Sequence, residues 1–161
     1  MRSGSLEEYA NIARELVLRL LERMDVKAEV EGSLTDGNVY VEIKGDKDGI
    51  LIGKHGRTLE ALQILITRMV NKQAKDPVRV LVDIDHYWDR RSDSLARMAG
   101  RLGERVKETG KPITLGPYNA QERRVIHVAL KEDTALKTEN LGEGAFKRLT
   151  IAPRKKEETE I

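Results

Sequence analysis

The 161-residue chain has no cysteine, a single tryptophan and a single phenylalanine, and no apolar run near the length of a membrane helix. Without cysteine there is neither a disulfide framework nor thiolate metal ligation. A bilayer-spanning helix needs about 20 apolar residues in a row, and no signal-peptide pattern opens the chain. No membrane insertion is expected, and a soluble cytoplasmic protein is the default. With aromatics at 4%, too few rings are present to stack successive bases as aromatic sheet platforms do. No nucleophile–base set stands out, so no catalytic residue, cofactor or metal is expected.

Charge is abundant instead. Asp, Glu, Lys and Arg make up 35% of the chain, above the roughly 25% of ordinary globular domains. The net charge of +2 hides an asymmetry: residues 1–85 sum to −2 and residues 86–161 to +4. A nucleic-acid partner fits the basic half, although a well-solvated surface explains such a modest excess equally well. The 39% of hydrophobic residues suffices for a core. Two halves of about 80 residues would each lie near the size at which cores become marginal.

In the first half, Leu6, Tyr9, Ala13, Leu16 and Leu20 recur at helical spacing and predict a helix over 6–24. Val26, Ala28 and Val30, then Val39, Val41 and Ile43, alternate with polar residues as two strands joined by Thr35-Asp36-Gly37-Asn38. Ile50 to Ile52 predicts a short helix ending at Gly53. A long helix follows from Arg57 to about Ala74, stopped by Asp76-Pro77, and Val78 to Ile84 alternates as a third strand.

Between the two helical segments lies Gly53-Lys54-His55-Gly56. Glycines tolerate positive φ and lack a Cβ, so a backbone turning here can approach another molecule. Amides at such a turn, beside a helix N-terminus, favour an anion. Lys54, His55 and Arg57 add donors and charge. The competing reading is a tight turn that needs its glycines for geometry alone. Gly49 to Lys54 is not a P-loop: the spacer is one residue short, and His55 replaces the required Ser or Thr. The order of elements around the tetrad resembles a KH domain of the type common in bacteria. That resemblance implies a grip on about four nucleotides of single strand, with Ile50, Leu51, Leu59 and Leu62 as part of an apolar platform for bases.

The second half opens with a helix over 87–109, carrying Trp88, Leu95, Leu102 and Val106 on its buried stripe and closed by Gly110. A strand at 113–115, a turn at Gly116-Pro117, a helix capped by Asn119 and running to about Lys131, and strands near 136–140 and 146–152 complete it. No Gly/Ser-rich linker divides the halves, which predicts a rigid or short-hinged pair. Arg123 and His127 are four apart on one helix face, with Arg124 beside them. A guanidinium can fork onto phosphate while an imidazole one turn away stacks or donates to the same strand. The competing reading pairs Arg123 with Glu122 and buries His127 between Ile126 and Val128. Lys147 and Arg148 extend a basic edge. Arg97, Arg101 and Arg105 form a ridge that reads as a solvated face, with Asp93 and Glu104 in reach for pairs. Asp83-x-Asp85-His86 lacks a further acidic partner in the sequence, and a metal-site reading is set aside.

Arg-x-x-x-His is the signature of the R-x-x-x-H domain. The wider text is Tyr87-Trp88-Asp89-Arg90-Arg91, Lys107 to Pro112, Glu122 to His127 and Thr138-x-Asn140-x-Gly142, in that order behind a KH-like region. It resembles the Jag family, also called SpoIIIJ-associated or KhpB proteins, over nearly all of 6–153. The resemblance does not extend to the family's N-terminal Jag domain and basic linker. Asn140 stands where the family often has serine, and Gly116-Pro117-Tyr118-Asn119 departs from its proline-methionine-asparagine run. It implies an α+β protein: a KH domain over 6–85, then an R-x-x-x-H domain over 86–153 with a long connecting helix. Residues 1–5 resemble a cloning remnant, and 154–161 read as a charged disordered tail. Further implications are single-stranded RNA, or single-stranded DNA, as ligand and a small KH-only protein or a second copy as partner. The family's role in RNA regulation and cell envelope growth and division is implied as well. A protein–protein scaffold with incidental RNA is the alternative.

Overall fold

Tyr9, Ala10, Ala13, Val17 and Leu21 form one buried stripe of helix α1 (Leu6–Arg23), at the three- and four-residue intervals that one helix face requires. Ser5 starts the helix by accepting the Glu8 amide at 3.2 Å, an N-cap worth about 1 kcal/mol. The computed structural model describes residues 4–155. The first three residues of the remnant-like opening and residues 156–161 of the charged tail lie outside the described residues.

Helix α1 packs on a three-stranded sheet of β1 (Glu29–Thr35), β2 (Asn38–Lys44) and β3 (Val80–Ile84), in that spatial order. The β1–β2 pair is antiparallel and closes at Thr35 opposite Asn38. Asp36 and Gly37 both take positive φ, 50° and 73°, as the favoured two-residue hairpin turn demands. Strand β3 pairs parallel to β2, Val39 opposite Val80 and Ile43 opposite Ile84, and the crossover carries helix α2 (Arg57–Asn71). Val39, Val41, Ile43, Val80, Val82 and Ile84 are buried with Leu59, Leu62, Ile66 and Val70 of α2 and the α1 stripe in one core.

Two expectations shift here. Ile50 to Ile52 is not a helix but a single turn, closed by the Gly53 amide on the Gly49 carbonyl at 3.0 Å. The Asp46 carboxylate holds it by accepting the Leu51 and Ile52 amides, each at 3.1 Å. Helix α2 ends at Asn71, short of Ala74. The Asn71 side chain accepts the Val78 amide at 2.7 Å and donates to the Val78 carbonyl at 2.8 Å, so a side chain clamps the chain leading into β3.

The chain divides into two compact units, the first ending at Trp88 and the second starting at Asp89. Helix α3 (Tyr87–Thr109) begins in the first and continues into the second. There β4 (Ile113–Tyr118), helix α4 (Ala120–Leu130), β5 (Leu136–Leu141) and β6 (Lys147–Pro153) form an antiparallel sheet of order β4-β6-β5 with α4 between β4 and β5 in sequence. Gly116-Pro117, expected as a turn, lies within β4, where the pairing with β6 is irregular between Leu115 and Tyr118 and the Gly116–Pro117 bond is cis. Leu95, Ala99 and Val106 of α3 share a core with Ile126, Leu130, Leu136, Leu149 and Ile151.

Gly103 lets α3 come close. A Cβ there would stand 2.8 Å from a Leu136 methyl and 3.0 Å from a Leu130 methyl. Nearby, Lys107 bonds Asp133 at 2.6 Å and Glu104 at 2.7 Å. The bond to Asp133 comes first among the causes that raise the lysine to about 12, and the bond to Lys107 first among those that lower the Asp133 carboxyl below its ordinary 3.8.

Gly103→Val is expected to destabilise by roughly 1–3 kcal/mol through overpacking, read as a lowered urea midpoint; an unchanged midpoint would contradict the close approach. For Asp133, a depressed folded pKa means stability present above 3.8 and lost as pH falls through the lower folded value. Asp133→Asn should therefore melt below the parent at neutral pH and match it in strong acid, as measured by thermal melts across pH.

Candidate nucleic-acid interface

Gly53, His55 and Gly56 all take positive φ, 71°, 55° and 75°, around a 3₁₀ turn over Lys54–Gly56. Three left-handed residues in four reverse the chain between the Gly49–Gly53 turn and α2. Histidine is among the non-glycine residues enriched in this region. The glycines serve the protein's own packing. A Cβ at Gly53 would fall on the Thr58 side chain, and one at Gly56 would lie 2.5 Å from the Tyr87 ring. Gly56 is buried. The absent Cβ atoms make room for Thr58 and Tyr87, the geometric role that the competing reading gave these glycines.

What faces out is the peptide between the glycines. Lys54 and His55 are exposed, as are Arg57 and Thr58. The Ile52 carbonyl accepts the Thr58 and Leu59 amides at 3.1 and 3.2 Å, and the Lys54 carbonyl accepts that of Arg57. The first turn of α2 is thus largely satisfied internally. Among the described residues, the Lys54 and His55 amides have no partner. A small anion-binding edge remains, made of two amides, an ammonium and an imidazole. The apolar platform is corrected too. Leu51, Leu59 and Leu62 belong to the core, and only Ile50, 54% exposed, faces solvent.

In the second unit, Asn119 and Glu122 cap α4 reciprocally: Asn119 Oδ1 accepts the Glu122 amide at 2.9 Å, and Glu122 Oε2 accepts the Asn119 amide at 3.0 Å. Each bond satisfies an orphan helix-end donor. Buried Glu122 also pairs with Arg91 at 2.8 Å. That carboxylate is therefore committed, and Arg123 is not its partner. Arg123 Nη1 donates to the Tyr118 carbonyl at 2.6 Å and the Ala145 carbonyl at 3.5 Å. Nε of Arg123 is buried without a partner.

His127 is exposed, not buried between its apolar neighbours. Its Nδ1 shares a 2.7 Å hydrogen bond with Thr138 Oγ1 on β5, which fixes the ring. Arg123, Arg124, His127, Thr138, Asn140 and Leu149 line one open cleft of about 350 Å³. Thr138 and Asn140 were legible only as members of a spaced motif; their place opposite α4 comes from the β5–β6 pairing. Lys147 and Arg148 start β6 and are not among the cleft's lining residues.

Among the described residues, Arg97, Arg101 and Arg105 are exposed and carry no ion pair; Glu104 turns to Lys107 instead. The acidic partner that Asp83 lacked in the sequence is Glu42, opposite it in the sheet. Glu42, Asp83 and His86 bring ligand atoms within 4.8 Å of one another. Glu42 is already hydrogen-bonded by the Tyr40 hydroxyl at 2.7 Å and the His86 amide at 3.2 Å. Asp85 leaves the strand with φ 49° and accepts the Gly45 and Asp46 amides, so it does not line up with Asp83. Among the described residues, no helix is long and apolar enough to cross a membrane.

Residues 10–82 match the KH domain of the KhpA/KhpB proteins, and residues 93–153 match the R-x-x-x-H domain. The RNA-binding protein KhpB of Clostridium symbiosum is 38% identical over 154 residues, covering 94% of this chain and 69% of that protein. That of Lactiplantibacillus plantarum is 34% identical over 156 residues, 96% of this chain and 48% of the relative. The Bacillus subtilis protein of the same name is 34% identical over 128 residues, 78% and 62% of the two chains. The chain thus spans between about half and about two thirds of these relatives.

Removing the committed carboxylate tests the second site's framework. Glu122→Ala is expected to cost roughly 1–3 kcal/mol, because it leaves the half-buried Arg91 guanidinium and the Asn119 amide without their acceptor. Glu122→Gln, which retains a cap acceptor, should cost less. Equal and small losses in chemical denaturation would contradict this arrangement.

Proposed function

The chain belongs to the KhpB family, and from that premise we propose that it binds single-stranded RNA through two sites, one in each unit. The carrying observation is the exposed Lys54–His55 peptide on a left-handed turn, its two amides unpartnered. In this reading the amides, Lys54, His55 and Arg57 neutralise or donate to phosphates along about four nucleotides. Gly53 and Gly56 shape that edge from within. The cleft of the second unit holds an adjacent stretch: Arg124 and the exposed imidazole of His127 meet the strand, while Arg123 braces the cleft wall. Two weak sites on one strand raise effective affinity without new contacts. With few aromatics, sequence preference is loose. The protein works as a binding protein in the cytoplasm, not as an enzyme, in RNA regulation linked to envelope growth and division.

One observation favours the second reading, a protein scaffold. Ile64, Leu65 and Met69 lie on α2 at 53, 54 and 45% exposure, an apolar ridge suited to a KH-type partner. A partner complex that survives nuclease would favour the scaffold; one that dissolves would favour RNA.

Lys54→Asp with His55→Asp should abolish RNA retention by the first unit at unchanged melting temperature, since aspartate also tolerates the left-handed region. Unaltered retention would overturn the first site. With about four phosphates neutralised, log affinity against log salt should have a slope of about −3; a flat response would remove the phosphate clamp.

A further inference from the structure

The cleft at Arg123 and His127 has a neighbour. His127 and Thr138, tied Nδ1 to Oγ1 at 2.7 Å, also line a second cleft of about 290 Å³. Its other walls are Leu130, Lys131, Leu136, Lys137 and Arg154. Three of these are cations, and among the described residues no carboxylate lines it. Lys137 is engaged by Glu139 at 2.8 Å. Lys131 and Arg154 are exposed and, among the described residues, carry no ion pair.

Both cations are well placed to stay there. Lys131 is the C-cap residue of α4, and the Arg154 amide donates to the Ala135 carbonyl at 2.7 Å. Leu130 and Leu136 are core residues with only 7 and 3% exposure, so the second cleft has an apolar floor beneath a cationic rim. That combination suits a nucleotide, apolar toward its base and anionic toward its phosphate. The two clefts share one wall, and that wall is an imidazole.

We infer that the RNA strand held by the second unit continues over the His127–Thr138 wall and places a further stretch of backbone against Lys131 and Arg154. This rests on the reading of that unit as an RNA site, and it extends the site along α4 and β5, away from Lys147 and Arg148. His127 is then the divider between two successive nucleotides.

The test uses the full chain with Lys54→Asp and His55→Asp, so that the second unit alone reports, and a short uridine oligomer as the probe. Lys131→Ala with Arg154→Ala should weaken binding about tenfold and reduce the salt slope by about 1.4, the share of two single-strand phosphate contacts. The charge-preserving pair Lys131→Arg and Arg154→Lys should retain both affinity and slope. If the alanine pair binds like its parent while Arg124→Ala with His127→Ala loses binding, the extended path is wrong and the RNA site stands. If neither pair alters binding, the reading of the second unit as an RNA site fails and the path fails with it. A loss in the alanine pair that the charge-preserving pair shares would also overturn the inference, since charge would not be the cause.

Discussion

Three left-handed residues within four positions hold the first site together. An L side chain at φ near +70° is disfavoured by contact between its Cβ and the backbone, so glycine stands at Gly53 and Gly56 and histidine, one of the more tolerant types, at His55. The sharp reversal lets Thr58 and Tyr87 fill the inner side of the turn while Lys54 and His55 remain on the outer side. One backbone constraint thereby separates a packed interior edge from a polar exterior one. The core beneath, with Leu59 and Leu62 following directly in α2, keeps the turn from relaxing.

The second site is organised by a carboxylate. Glu122 completes the capping box and holds Arg91, and it is nearly fully buried. A buried charge left unpaired is costly, so both partners are fixed by the need to satisfy it. This frees Arg123 to reach back to two carbonyls and places Arg124 and His127 on the cleft side of α4. Thr138 then sets the histidine ring from the neighbouring strand. Both units thus present cations on a wall held from within by the protein's own hydrogen bonds.

The elements were largely readable because their signals are local. Alternation marked β2 and β3, a 3.6-residue stripe marked α1, α2 and α3, and Asn119 with Glu122 announced the start of α4. The misreadings have tertiary causes. The Ile50–Ile52 segment looks helical by composition, yet it makes a single turn, closed by the Gly53 amide on the Gly49 carbonyl, before the backbone reverses at Gly53. Leu51, Leu59 and Leu62 seemed available as a platform, and packing under α1 and the sheet removes them. Gly116-Pro117 read as a turn, and pairing with β6 carries β4 through it.

By itself the sequence determined where chain reversals fall and which faces are apolar, because positive φ, capping and periodicity depend on residues within a few positions of one another. It also determined that Lys54 and His55 stand between the two glycines and that an arginine and a histidine stand one helical turn apart at 123 and 127. Only the tertiary structure decided which of those groups remain outward. Whether Glu122 pairs with Arg91 or Arg123, whether Gly56 is open or covered by Tyr87, and which strand residue meets His127 are questions of through-space neighbours, 31 residues away for Arg91 and Glu122 and 11 for His127 and Thr138. Such pairings are fixed by strand register and helix packing, which bring together groups that no local spacing relates.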